Sequence, residues 1–250
     1  MGIMKKYSHN IIIIFFILKL ITIIFSFQSQ LLAGAPPMNK DPIPSGPYSF
    51  IKTKHLIVGV EWEKSFLQKI LPTNYQNLSI ITGGINIFNS KKKQPYSPLS
   101  GSFGWVDLPV KNNVEKLIIF SIYGPNKTIN NIMKSVYNLE SKMGSNKVTL
   151  INDNAVATSS ISNKNVIIIS ASDSENCRES SGKDLYISQY SKKNLVRKNI
   201  SWKTEKLCDL QPTKVELKGI LEKYKIKKIL WSKTRDNSNI IIEEPVSKIK

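Results

Sequence analysis

Few side chains in this 250-residue chain could do chemistry. His9 and His55 are the only histidines, and Cys177 and Cys208 the only cysteines, with no CxxC and no Cys/His cluster. That argues against a zinc site, and no other metal or cofactor is implied. A Ser-His-Asp arrangement would have to use His55, because His9 lies in an N-terminal leader, and nothing in the sequence supports one. The remaining chemistry belongs to lysine. The stretch Val136 to Lys147 reads Val-Tyr-Asn-Leu-Glu-Ser-Lys-Met-Gly-Ser-Asn-Lys, and Lys142 stands where a predicted helix gives way to predicted strands. An unprotonated amine there could attack a carbonyl carbon. The plainer reading is a surface cation near a helix C-terminus, favoured by the macrodipole.

The elements that must position this stretch follow from periodicity. Thr128 to Lys142 has Ile129, Ile132, Met133, Val136 and Leu139 or Tyr137 at three-to-four spacing, and Gly144 supplies a stop. A shorter helix is predicted over Glu63 to Leu71, ending before Pro72. The rest reads as strands: His55 to Val60, Leu78 to Phe88, Phe103 to Val110, Leu117 to Tyr123, Val148 to Ile151, Ala155 to Ile161, Val166 to Ala171, Leu185 to Tyr190, Leu195 to Trp202, Ile226 to Trp231 and Ile240 to Ile242. Gly83-Gly84 suggests a bulge or a close backbone approach, and Lys214 to Tyr224 reads as another short helix. Short strands with hairpin-sized gaps predict an α+β, mainly antiparallel β domain, curled into a barrel or sandwich with few helices.

Before that domain lies a different kind of chain. Lys5 and Lys6 precede an almost wholly apolar run from Ile11 to Phe27, and small residues follow at Ala33-Gly34-Ala35. This is the layout of a secretory leader, or of an N-terminal membrane anchor through residues 11–27 if it is not cleaved. Residues 1–35 are thus assigned to signal peptide or anchor, 36–47 to a Pro/Gly/Ser-rich linker, and 48–250 to the domain. The expected location is exported, periplasmic or secreted, with the membrane touched only through an uncleaved leader. In an oxidising compartment Cys177 and Cys208 are candidates for one disulfide, the other reading being two buried thiols.

Lys and Arg exceed Asp and Glu by 36 to 18. Almost all of the surplus is lysine, the arginines being Arg178, Arg197 and Arg235. Lysine runs such as Lys91 to Lys93 lack the aromatics and arginine forks that nucleic-acid recognition uses, so nucleic acid is not an expected partner. The bland account is a solvated basic surface.

The segment Ile43-Pro-Ser-Gly-Pro-Tyr-Ser-Phe50, a strand, and a helix ending Ile70-Leu-Pro72 together resemble the opening of acetoacetate decarboxylases. Phe103-Gly-Trp-Val-Asp-Leu-Pro-Val110 is similar to the family segment that presents an active-site acid, and Ser141-Lys142-Met143-Gly144 to its Lys-Lys-x-Gly. Pro212-Thr-Lys-Val-Glu-Leu217 follows in the family's order, so the resemblance spans nearly the whole domain. It implies a conical antiparallel β-barrel with an apolar cavity and a few peripheral helices. In that family the first lysine of the pair forms a Schiff base with a keto acid, the second cation lowering its pKa; this enzyme is the standard example of that device.

The chain departs from the pattern at the decisive positions. Ser141 stands at the expected Schiff-base position, and Lys142 falls on the second lysine. Thr53, between Lys52 and Lys54, stands where the family has arginine, and Asp107 where it has glutamate. Serine cannot form an imine, so the expectation is an exported acetoacetate decarboxylase-like protein without Schiff-base decarboxylase activity. Its cavity would bind a small apolar or keto-acid ligand, with Tyr48, Phe103 and Trp105 as lining. One alternative is a lyase of altered chemistry with Lys142 as amine and Asp107 as acid/base. Another is a basic surface- or membrane-binding structural domain. A homo-oligomer is compatible with all three.

Overall fold

The computed structural model describes residues 47–90, 100–110, 113–124, 127–189, 195–245 and 247–249. The leader and almost all of the linker therefore lie outside the described residues, as does the Lys91 to Lys93 run. Among the described residues no helix is long and apolar enough to cross a membrane.

Strand β1 (Tyr48–Trp62) shows how the sequence builds the fold. Successive side chains on a strand point to opposite faces. Leu56, Val58, Val60 and Trp62 all enter one buried cluster, while Ile57 enters a second on the other face. Both faces are apolar, so the strand is covered on both sides. A bulge at Lys52, whose φ is 51°, resets the alternation. As a result Tyr48 and Phe50 before it, and Thr53, His55 and Ile57 after it, all lie on the second face.

The other strands are β2 (Thr82–Ser90), β3 (Ser100–Val110), β4 (Asn113–Gly124), β5 (Ser141–Met143), β6 (Ser145–Ile151), β7 (Asn154–Ile161), β8 (Lys164–Gln189), β9 (Leu195–Leu217), β10 (Ile226–Ile242) and β11 (Ser247–Ile249). They form one mostly antiparallel sheet, in the order β11-β9-β10-β1-β2-β3-β4-β8-β7-β6. Because β9 also pairs with β8, the path from β9 through β4 to β8 closes on itself. The closure is irregular: β4 meets β8 in parallel at Lys116↔Tyr186 and Leu117↔Ile187 only. Two helices, α1 (Lys64–Ile70) and α2 (Lys127–Ser135), lie among the strands in chain order. The predicted class, α+β with a dominant antiparallel sheet and few helices, is the observed one.

Two predicted helices change. The helix expected over 128–142 ends at Ser135. Leu139 donates its amide hydrogen to the Met133 carbonyl, Asn138 takes φ 49°, and Ser141–Met143 leave as a strand parallel to β4. The apolar spacing was real, since Ile132, Met133, Tyr137 and Leu139 are buried, but Tyr137 and Leu139 reach the core from a turn. Gly144 ends no helix; a Cβ there would lie 2.2 Å from the Ser160 carbonyl oxygen, so it is a point of close backbone approach. The expected helix over 214–224 is the end of β9 followed by a short 3₁₀ turn at Gly219–Leu221. Four predicted short strands merge into β8 and β10, and the strand predicted at 195–202 extends to Leu217. Their polar middles carry no apolar alternation and are held by backbone pairing. Across β8 and β9, Cys177 and Cys208 form a disulfide with Cα atoms 4.2 Å apart.

Two hydrophobic clusters result. The first is mainly aliphatic, with Leu56, Val58, Ile85, Ile87, Ile122, Ile167 and Ile169, and Trp62 donating to the Trp105 carbonyl at 3.0 Å. The second is mainly aromatic: Tyr48, Phe50, Phe88, Phe103, Trp105, Tyr123, Tyr137 and Tyr186.

Candidate functional site

Strand β5 decides the fate of Ser141 and Lys142. Its register places Ser141 beside Ser121, Lys142 beside Ile122 and Met143 beside Tyr123. Neighbours in a strand face opposite ways, so Ser141 shares the face of Tyr123 and the aromatic cluster, and Lys142 shares that of Ile122. Ser141 is buried and donates its hydroxyl to Asn130 Oδ1, whose amide group in turn donates to the Tyr123 carbonyl at 3.1 Å. The Lys142 side chain is 56% exposed and its Nζ lies 3.9 Å from Glu140 Oε1. It lines an open surface groove of about 250 Å³ with Glu140, Lys223 and Tyr224. An amine in that setting faces solvent beside a carboxylate, away from the aromatic cluster.

Asp107 is part-buried on β3. Its carboxylate accepts from Trp105 Nε1 at 3.0 Å and from Thr82 Oγ1 at 3.1 Å. It therefore holds the Trp105 indole, and the strand register pairs it with Lys116. The structure does not bring Lys142 and Asp107 into contact. Tyr48, Phe103 and Trp105 are all buried in the aromatic cluster, and of the three only Phe103 lines the pocket within it.

That pocket is enclosed by Phe50, Phe88, Phe103, Tyr123, Tyr186 and Trp202, with four polar groups converging: His55, Asn86, Asp184 and Arg235. Its free space is about 30 Å³, room for a water molecule or two. Arg235 comes from β10, where it pairs with His55, and its guanidinium stacks 3.5 Å above the Trp202 ring. Its Nε has no hydrogen-bond partner, and burial pulls its pKa below the usual value while Tyr186 and Asp184 oppose the shift. Asp184 is engaged by Lys116 Nζ at 2.6 Å and by Trp202 Nε1 at 3.1 Å.

His55 is buried, stacked on Phe88 and flanked by Thr53 Oγ1 at 2.8 Å from Nε2 and Asn86 Oδ1 at 3.1 Å from Nδ1. Its partners are a threonine and an amide, not a serine and an acid, so it is not the centre of a Ser-His-Asp triad. Burial first, and Arg235 second, push its pKa down to about 3. The ring is neutral at pH 7, and with one proton it can donate from Nδ1 to Asn86 while Nε2 accepts. Thr53, at the position where the resemblance expects arginine, has one hydroxyl proton, which goes either to His55 Nε2 or to the Ser238 carbonyl at 2.8 Å, and in the second case Nε2 carries the ring proton and donates to Oγ1.

No family model matches this sequence, and no curated protein does. Solved structures do. An acetoacetate decarboxylase from Legionella pneumophila aligns with TM-score 0.66 at 13% identity, over 86% of this chain and 94% of that one. The enduracididine biosynthesis enzyme MppR, complexed with pyruvate, aligns with TM-score 0.61 at 7% identity, over 85% and 93%. An acetoacetate decarboxylase-like enzyme from Sphingomonas wittichii aligns with TM-score 0.57 at 11% identity, over 83% and 94%. The fold is acetoacetate decarboxylase-like.

Within the acetoacetate decarboxylase-like fold, three buried or part-buried polar groups were not marked by the sequence, two lining the pocket and one outside its lining. Arg235 was visible only as one of three arginines, and His55 only as the one histidine outside the leader. The third is Lys198. It is 2% exposed, its Nζ has no hydrogen-bond partner, and it lies 5.1 Å from the centre of the Tyr137 ring. Burial brings its pKa down to about 7. Nothing in its local sequence, Val196-Arg-Lys-Asn199, separates it from the many surface lysines. Only strand parity, with Val196, Ile200 and Trp202 on its side, carries a signal. Among the described residues, no three His, Cys, Asp or Glu side chains group as metal ligands.

Proposed function

We propose that this protein binds a small carboxylate or keto acid in the pocket at Arg235, and that it does not decarboxylate it through an amine at position 141 or 142. The observation that carries the reading is Arg235 itself. A guanidinium flattened on Trp202, with Nε unpartnered inside an aromatic wall, offers its fork to a carboxylate. Neutral His55 and Asn86 add polar contacts, and the acid in the lining, Asp184, is already engaged by Lys116 and Trp202. The cation that the resemblance expects at Thr53 on β1 is here supplied from β10, at the residue paired with His55. MppR, similar in fold, holds the keto acid pyruvate. The free space holds only a water molecule or two, so even a small carboxylate enters by displacing water and moving aromatic side chains aside.

Against the lyase alternative stand Ser141, locked to Asn130, and Lys142, facing solvent beside Glu140. Export of the protein is part of the proposal. It is supported by the leader pattern of residues 1–35 and by the Cys177–Cys208 bridge, a bond that persists in oxidising compartments.

Titration with acetoacetate, followed by tryptophan fluorescence and by CO₂ release, tests both halves. Trp202 lines the pocket and Trp105 packs behind Phe103, so saturable fluorescence change without CO₂ is expected. In Arg235→Gln the midpoint should move at least about tenfold, the loss of one charge-assisted hydrogen bond. Turnover of acetoacetate to CO₂ that is abolished in Lys142→Ala would overturn the reading.

A further inference from the structure

Asp184 is the part of the pocket that a plain carboxylate ligand leaves unexplained. It lines the cavity from β8 as Arg235 does from β10, so an anion arriving at the guanidinium meets a second anion in the same wall. Opposite charges so placed in an apolar interior ordinarily pair with each other. Here they do not. Arg235 keeps an unpartnered Nε, while Asp184 receives Lys116 Nζ on Oδ1 at 2.6 Å and Trp202 Nε1 on Oδ2 at 3.1 Å. The Trp202 indole stands between the two charges, stacked on the cation and hydrogen-bonded to the anion.

Both charges are at the entrance. The lining residues from β1 to β4 are buried, whereas Asp184, Ile200, Trp202 and Arg235 are part-exposed. Lys116 is not in the lining and holds Asp184 from outside the pocket. A carboxylate has about four lone-pair positions, so two bonds leave Asp184 able to accept more. Phe103, Tyr123, Tyr186 and Trp202 supply ring faces, which attract an ammonium ion.

The small free volume adds a second argument. Because the cavity holds only about 30 Å³, a ligand entering at the mouth displaces the Trp202 indole, which breaks its stack on Arg235 and its bond to Asp184. A carboxylate alone restores the first contact. A molecule carrying a carboxylate and an ammonium group restores both.

We infer that the pocket takes a small amino acid, its carboxylate on Arg235 and its ammonium group on Asp184 and the surrounding ring faces. The carboxylate half rests on the Arg235 reading; the ammonium half is carried by Asp184.

L-alanine, pyruvate and propionate test it, because these three-carbon carboxylates differ only in bearing an ammonium group, a keto oxygen or hydrogens at the second carbon. Each is titrated into the intact protein at pH 7 by calorimetry and tryptophan fluorescence. L-alanine should bind at least about tenfold more tightly than propionate, the usual effect of one charge-assisted hydrogen bond. Asp184→Asn, which keeps an acceptor for Lys116 and Trp202, should abolish that preference and leave propionate bound as tightly as before or more so. Lys116→Gln, which takes a competing cation off Asp184, should widen the preference. Arg235→Gln should weaken all three.

Pyruvate or propionate binding as tightly as L-alanine would overturn the amino-acid assignment and leave the carboxylate site standing. So would an alanine preference that survives in Asp184→Asn. If that variant binds none of the three, Lys116→Gln decides, and an unchanged ratio of alanine to propionate affinity overturns the assignment. Alanine binding that is lost in Asp184→Asn but untouched in Arg235→Gln would uphold the ammonium half and remove the Arg235 reading. Binding of none of the three to the unaltered protein would overturn both.

Discussion

The two faces of β1 to β4 pack against two interiors that differ in kind. The aliphatic one takes Leu56, Val58, Val60 and Trp62 from β1, and most of its members are branched aliphatic side chains that fill space. The aromatic one takes Tyr48, Phe50 and Ile57 from the same strand, and interleaves them with Thr53, His55, Asn86, Arg235 and Lys198. One strand thus contributes to a stabilising core and to a destabilised one. Buried groups that must shed protons, or remain unpaired, concentrate on the aromatic side: His55, Lys198 and Arg235 all have pKa values lowered chiefly by burial. The expected consequence is lower stability on that side.

The largest test of this contrast is truncation on the aliphatic face. Trp62 is 1% exposed and donates to the Trp105 carbonyl. Trp62→Ala should cost about 3–5 kcal/mol in urea unfolding, from lost burial and the cavity left behind. It would also orphan that carbonyl. A cost under 1 kcal/mol would mean that this interior is not the main stabilising core. The disulfide comes next. Reducing Cys177–Cys208, which are 31 positions apart, should lower stability by about 3–4 kcal/mol by releasing a loop in the unfolded chain. An unchanged urea midpoint after reduction would remove that role.

The aromatic interior is expected to respond to pH where the aliphatic one does not. For Lys198 the folded pKa, about 7, lies below the ordinary 10.5. Between those values the unfolded chain binds more protons, so stability rises as pH increases from about 7 towards 10.5, by a few kcal/mol. For His55 the folded pKa, about 3, lies below 6.5. Stability again rises with pH, here from about 3 to 6.5, and is lost by a few kcal/mol as pH falls through that window. The windows do not overlap. Lys198→Met should flatten the upper one and raise stability at pH 7, while His55→Gln should flatten only the lower. A slope above pH 7 that survives in Lys198→Met would show that the buried amine is not its source.

How much of this could be read from the chain alone differs between the two interiors for the same reason. Aliphatic alternation such as Leu56, Val58, Val60 announces a strand and its face directly. The pocket face depends on features that alternation cannot show. The bulge at Lys52 moves Thr53 and His55 onto the face of Phe50. Arg235 reaches His55 through pairing of strands some 180 positions apart, and Lys198 is inward only because of the β8–β9 register. The Ser141 departure was legible because it sits in a short motif. Its neighbour's direction was not: on a helix the two would differ by about 100°, whereas on β5 they point to opposite faces.

That last difference gives the smallest and sharpest comparison, since two adjacent residues should behave as members of different environments. Ser141→Ala removes a buried donor and leaves Asn130 Oδ1 without the hydroxyl. It should cost about 1 kcal/mol or somewhat more, the usual effect of deleting one partner of a buried hydrogen bond. Lys142→Ala removes a solvated side chain whose ion pair with Glu140 spans 3.9 Å. It should change the urea midpoint by less than about 0.5 kcal/mol equivalent, as exposed pairs do. If the order is reversed, with Lys142→Ala the more costly, then β5 presents its lysine to the interior. An inward Lys142 would then stand beside Ile122 in the aliphatic interior, and the lyase alternative would regain its amine.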